Sequence, residues 1–183
     1  MALTATIYNF DIDLADSDRG VYETLALRVA RHPSESEDYL LTRVLAYAME
    51  YTEGIEFSAG LSTPDEPAIT VKDLTGAWRA WIEIGAPDAD RLHRASKAAP
   101  RVAVYMQKDP GQFLARLAGE RIHRRDALEF WAVDRGLLAA LSERLDRRMN
   151  FSLSISDHEL FLSIGAETLT GAVTRRRLDG ASQ

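Results

Sequence analysis

The sequence predicts an α/β fold of mixed α+β character, a mixed β-sheet with flanking helices in one domain. Three patterns predict it. Apolar residues alternate with polar ones across residues 4–31. An amphipathic helical pattern follows Pro33. A strand–helix–strand pattern fills residues 77–106, and such a crossover is expected to be right-handed.

In residues 4–13, Thr6, Tyr8, Phe10 and Ile12 share one side of a strand, with Ile7, Asn9 and Asp11 on the other. Ala15-Asp16-Ser17-Asp18-Arg19-Gly20 is turn chemistry. Leu25, Leu27 and Val29 mark a second strand over 22–31, so the pair forms an antiparallel hairpin. Pro33 ends it. Ser34 reads as a helix N-cap with Glu37 completing a capping box. Leu40, Leu41, Val44, Leu45, Ala48 and Met49 make residues 35–51 a helix.

A loop holding Gly60, Pro64 and Pro67 follows Phe57. Residues 68–72 and 77–84 read as strands joined through Leu74-Thr75-Gly76, with Gly76 free to take positive φ. Pro87 suits the first turn of a helix reaching Ala98, whose stripe is Leu92, Ala95 and Ala99. Residues 101–106 form a strand, 111–118 a short helix, 128–133 a strand and 135–148 a leucine-bearing helix. Strands 150–156 and 159–165 close the fold, and Arg175-Arg176-Arg177 begins a frayed tail.

Composition narrows the chemistry. The chain has 183 residues, 46% hydrophobic and 27% charged, enough for one ordered domain. It has no cysteine, which excludes disulfides, thiolate nucleophiles and zinc–thiolate sites. Met1-Ala2-Leu3-Thr4 lacks the basic start and apolar core of a signal peptide, and no apolar run spans a membrane. A soluble, cytoplasmic protein with no membrane partner is expected. The formal net charge of −6 gives no global attraction to nucleic acid, so such a partner would need local basic patches.

Four acids stand out: Glu35, Asp65, Glu66 and Glu83. A hairpin turning at Thr75-Gly76 sets residues near 66–68 across from residues near 83–85, so Asp65 or Glu66 could approach Glu83. Carboxylates on adjacent strands can hold magnesium, which keeps several waters and needs few protein ligands. Such an ion polarises a phosphoryl group and acidifies a bound water. The bland alternative is a solvated Glu83 beside a polar turn. Glu35, in a first helical turn, also has a helix-dipole explanation.

Arg31-His32-Pro33-Ser34-Glu35, Asp65-Glu66-Pro67, Trp81-Ile82-Glu83-Ile84-Gly85-Ala86-Pro87, then Arg91, Arg94 and Ala95, together resemble the YaeQ family. The start Met1-Ala2-Leu3-Thr4-Ala5-Thr6-Ile7-Tyr8 shares the likeness, which spans nearly the whole chain. The resemblance implies a bacterial protein with a variant PD-(D/E)XK nuclease fold. That is a restriction-endonuclease-like core with added N- and C-terminal strands, over residues 1–175, before a flexible tail at 176–183. It places the first motif acid at Asp65 with Glu66 beside it, the second at Glu83, and a helical acid at Glu35. The motif lysine falls at Gly85, which supplies no cation, leaving Arg94 or Lys97 on the next helix as substitutes.

The implied mechanism has Asp65 and Glu83 holding magnesium or manganese, with Glu66 or Glu35 as a further or water-bridged ligand. A metal-bound water attacks the phosphodiester in line, while Lys97 or Arg94 orients it or neutralises the developing charge. The competing expectation is a non-catalytic module that binds nucleic acid or protein and carries a degenerate site.

Other features weigh less. The basic run Arg121, His123, Arg124, Arg125 and the arginines 144, 147 and 148 could contact phosphate or be solvated surface. Trp78, Trp81 and Trp131 fall in strands, where core packing is the default. His32 could support the acid cluster or pack at the helix entry; His93, His123 and His158 lack ligand spacing. No Walker loop, dinucleotide fingerprint or nucleophile elbow is present.

Overall fold

The computed structural model describes residues 4–58 and 65–178. The chain packs as two compact units. The first holds the described residues up to Tyr51 together with Val133–Val173; the second holds Thr52–Ala132 and the described residues from Thr174 onward. None of the crossing points has linker composition.

In the first unit, β1 (Thr6–Asp16) and β2 (Val21–Arg31) pair antiparallel from Thr6↔Arg31 to Asp16↔Val21. The alternation of β1 is real: Tyr8, Phe10, Ile12 and Leu14 are buried, while Asp11 and Asp13 are exposed. The strand runs on through Ala15 and Asp16, residues that read as turn in the sequence. It does so because buried Asp16 is satisfied, accepting from Arg19 Nε at 2.7 Å. Arg19 also donates to the carbonyls of Tyr51 and Ala48, capping the end of the following helix.

That helix, α1 (Glu37–Glu50), starts two residues later than expected. Its N-cap is Ser36, whose Oγ accepts from Tyr39 N–H at 3.1 Å. Ser34 is engaged elsewhere, sharing a 2.7 Å hydrogen bond with His32 Nδ1. Glu37 is therefore the first helical residue, not the reciprocal member of a capping box.

The second unit is built on β3 (Ile55–Phe57), β4 (Ile69–Lys72), β5 (Trp78–Ile84), α2 (Ala89–Ala98), β6 (Val102–Met106), α3 (Gly111–Ala118) and β7 (Glu129–Val133). Its strand order is β7-β6-β5-β4-β3. The β4–β5 hairpin is antiparallel, with Ile69↔Ile82 as its far pair. Its turn is set by Asp73, whose Oδ1 accepts from the backbone of Thr75 and Ala77 and whose carbonyl accepts from Gly76, at φ +83°. β5, β6 and β7 are parallel neighbours. Every residue of β6 is buried, as a strand covered on both faces requires. Leu92 and Ala95 of α2, Phe113 and Leu117 of α3, Val104 and Phe130 share one core.

The first unit is completed by α4 (Arg135–Ser142), β8 (Arg148–Ser156), β9 (Glu159–Ile164) and β10 (Glu167–Arg176) as far as Val173, in strand order β2-β1-β8-β9-β10; the last residues of β10 belong to the second unit. β8 runs parallel to β1, and β8–β9–β10 is an antiparallel meander. Two expectations are corrected here. The helix ends at Ser142 rather than at 148, so Arg144, Arg147 and Arg148 lie beyond it. Arg144 turns back onto the Ala140 carbonyl and Glu167, while Arg148 opens β8. Arg175 and Arg176, expected in a frayed tail, lie in β10. Among the described residues no helix is long and apolar enough to cross a membrane.

Asp157 and His158 both have positive φ, at +51° and +61°, in the β8–β9 turn. Asp18 holds it, accepting from their backbone N–H groups at 2.7 and 3.0 Å. The bond from the His158 backbone, before other causes, holds the Asp18 carboxyl below its ordinary range. The stability it contributes is present above the unfolded-state value and is lost as pH falls through the lower folded value. Asp18→Asn is expected to lower the urea midpoint near neutral pH and to remove this acid-side slope. An unchanged slope in the variant contradicts the assignment.

Candidate functional site

Glu83 lies near the end of β5, two residues after Trp81, so both side chains fall on one face of the strand. Both are buried, at 5% exposure each. The Trp81 indole N–H donates to Glu83 Oε1 at 2.7 Å. The chain then turns through Gly85 into α2, where Asp88 caps the helix by accepting from Arg91 N–H at 2.7 Å. The cap fixes the first turn and presents Arg91 to the strand. Arg91 Nε donates to the same Glu83 oxygen at 2.6 Å, and its Nη2 donates to the Glu66 carbonyl, also at 2.6 Å. One guanidinium therefore ties β5, α2 and the segment leading into β4 together.

Burial pushes the Glu83 carboxyl above its ordinary value, and the bonds from Trp81 and Arg91 with the Arg91 charge pull the other way. Asp88 adds a small upward push. A carboxylate this enclosed is tolerable only because a cation and an indole N–H share its charge.

The other predicted residues are placed as follows. Glu66 is partly buried and meets Arg91 through its backbone, while Asp65 is exposed. Arg94 and Lys97 are on the exposed side of α2, away from buried Leu92, Ala95 and Ser96. Glu35 belongs to the first unit. There its buried carboxylate meets Arg43 Nη2 at 3.3 Å and accepts from His32 N–H at 3.3 Å. Arg43 also donates to the Ala30 carbonyl, so the pair pins the end of β2 to α1. Gly60 and Pro64, noted in the loop before Pro67, lie outside the described residues. Among the described residues no group of three His, Asp or Glu side chains is gathered as a metal would need.

Gly85, where the resemblance leads us to expect a lysine, has a backbone requirement of its own. Its φ is +93°, which L side chains rarely adopt, and its N–H donates to the Tyr105 carbonyl at 2.8 Å. It lines a cleft of about 110 Å³ with Ala86 and Lys108 at the carboxyl ends of β5 and β6. The residue that sequence reasoning underused is Arg91. Its signal was Asp88, a capping residue type three positions before Arg91, masked by the expectation of Pro87 in the first turn; the helix instead begins at Ala89 with Asp88 as its cap.

The family model described as YaeQ protein matches residues 1–173. The chain belongs to the YaeQ family. This member is 35% identical over 164 residues to an uncharacterised YaeQ protein of Salmonella typhi, covering 89% of this chain and 91% of the relative. The Escherichia coli K12 protein, also uncharacterised, is 32% identical over the same shares. The crystal structure of YaeQ from Pseudomonas syringae superposes with TM-score 0.83 at 32% identity, covering 92% of this chain and 94% of that one. The Xanthomonas axonopodis pv. citri structure gives 0.79 at 28% identity, covering 95% and 99%. The mixed α+β architecture is thus that of the family.

Arg91→Ala would strand a buried carboxylate, a change that costs about 3 kcal/mol when a buried pair loses one partner. The variant's deficit in unfolding free energy is expected to shrink on acidification, as Glu83 takes up a proton. Equal deficits at pH 4 and pH 8 contradict the pairing.

Proposed function

We propose that this YaeQ-family chain is a binding module that recognises nucleic-acid phosphodiesters on a nuclease-like scaffold without cutting them. One observation carries the reading. The Glu83 oxygen that the family resemblance assigns to a metal already accepts two N–H bonds, one of them from the Arg91 guanidinium. A divalent ion could take that oxygen only by displacing Arg91, and among the described residues no third carboxylate or imidazole is gathered to help hold it. The positive φ of Gly85 further supports it, since the motif's lysine would be strained at that position.

A second reading keeps metal-dependent cleavage by Asp65, Glu66 and Glu83, with Arg94 or Lys97 assisting and magnesium or manganese as cofactor. The hairpin register favours it, because continuing the Ile69↔Ile82 pair by one step sets Ala68 opposite Glu83. That register brings the Asp65–Glu66 segment toward the same end of β5.

Fluorescence anisotropy with single-stranded, duplex and structured DNA and RNA separates the two. Binding without cleavage, unaltered by a chelator, is the expected result. Manganese-dependent strand cleavage that disappears in Glu83→Ala would establish the second reading and overturn the first.

A further inference from the structure

Two basic segments that are far apart in sequence meet in the second unit. A turn at Arg125–Ala127 leads into β7, and the end of β10 brings Arg175, Arg176 and Arg177 to it. Together they line a cavity of about 410 Å³. That volume is in the range of small-ligand sites. Asp126 is the acidic residue among the lining, and buried Phe130 contributes an apolar wall. Four guanidinium groups against one carboxylate reverse the sign of the chain's net charge locally.

Two of the lining arginines carry incomplete hydrogen bonding. The Nε–H groups of Arg125 and Arg176 are buried and have no hydrogen-bond partner. Buried donors on a charged group are rarely left this way in native proteins. Arg175 is held loosely, with Nη1 3.4 Å from Glu129 Oε1 and its guanidinium over the Trp131 ring. Glu129 is engaged mainly by Arg101, at 2.5 and 3.2 Å. Neighbouring Arg124 differs, because its guanidinium donates to the Ser96 and Ala99 carbonyls at the end of α2. Within the basic run, Arg124 is thus structural and Arg125 lines the cavity.

We infer that this cavity binds a phosphate monoester dianion, with Arg125 and Arg176 as its principal donors and Arg175 and Arg177 completing the charge. Arginine forks match phosphoryl oxygens in pairs. Several converging forks offer more donors than the two oxygens of a carboxylate absorb, whereas a terminal phosphate presents three oxygens and two charges. The cavity also leaves room for the group the phosphate is attached to. The inference does not rest on the reading of Glu83, since it shares no residue with that site.

Calorimetry on the full chain tests it with inorganic phosphate, adenosine 5′-monophosphate, and one oligonucleotide carrying either a 5′-phosphate or a 5′-hydroxyl. Phosphate-bearing probes are expected to bind and to lose at least tenfold in affinity in Arg125→Lys and Arg176→Lys, which keep charge but lose the fork, while Arg116→Ala, at an exposed position of α3 outside the cavity, binds as wild type. Preference for the mononucleotide identifies a free phosphorylated metabolite as the source; preference for the 5′-phosphorylated strand identifies a nucleic-acid end. In the wild-type protein, the arginine Nε–H resonances of residues 125 and 176 are expected to shift on phosphate addition. Absence of binding by every phosphate-bearing probe at millimolar concentration, equal binding of the 5′-hydroxyl strand, or unmoved Nε–H resonances would overturn the inference.

Discussion

The site depends on how one buried carboxylate is kept charged. Glu83 stands at the end of a strand whose neighbours are Trp81, Ile82 and Ile84, all buried. An ionised group in that setting is costly unless it is paired and hydrogen-bonded. The Trp81 indole and the Arg91 guanidinium meet that need from opposite kinds of element, one from the strand itself and one from the helix that follows. Asp88 makes the geometry dependable by capping α2 at Arg91. The Arg91 link to the Glu66 carbonyl extends the constraint to the chain entering β4. The same pairing that stabilises the site decides its chemistry, because a cation that is part of the protein holds the oxygen.

Arginine plays this role repeatedly. Arg43 meets Glu35 between β2 and α1, Arg19 satisfies Asp16 and the last carbonyls of α1, and Arg124 satisfies the last carbonyls of α2. Each joins a strand, turn or loop to a helix: Arg19 through three nitrogens of its planar fork, Arg43 and Arg124 through Nη2 shared between two acceptors. Arg125 and Arg176 differ in lining a cavity; their buried Nε–H groups are unmatched, as is the Nε–H of Arg43 within its brace.

Much of the fold was legible in the sequence because the periods were clean. The alternation of Phe10, Ile12 and Leu14, the spacing of Leu40, Leu41, Val44 and Leu45, and the Asp73–Gly76 turn all have local causes, and the structure keeps them. What was missed depends on tertiary contacts. Ser34 and Ser36 are equivalent caps until His32 engages the first of them. The leucine pattern after Arg135 continues to Leu145, but the chain must turn at Ser142 to enter β8, and pattern cannot show that. β10 is polar and half exposed, so it lacks an apolar alternation; its Gly171 lies where a Cβ would come within 2.6 Å of Leu137. At the site, the sequence marked Glu83 and Arg91 as separate features, and only the folded hairpin and helix show that they meet.

The central claim concerns the occupant of Glu83, and the carboxyl carbon of that residue reports it directly. With glutamate labelled at the side-chain carbon, its resonance can be followed by NMR as magnesium is added to the intact protein near neutral pH. The account expects the signal to hold its position through millimolar magnesium, with Arg91 still bonded. A saturable displacement of that resonance, accompanied by loss of the Arg91 Nε–H hydrogen bond, would contradict it.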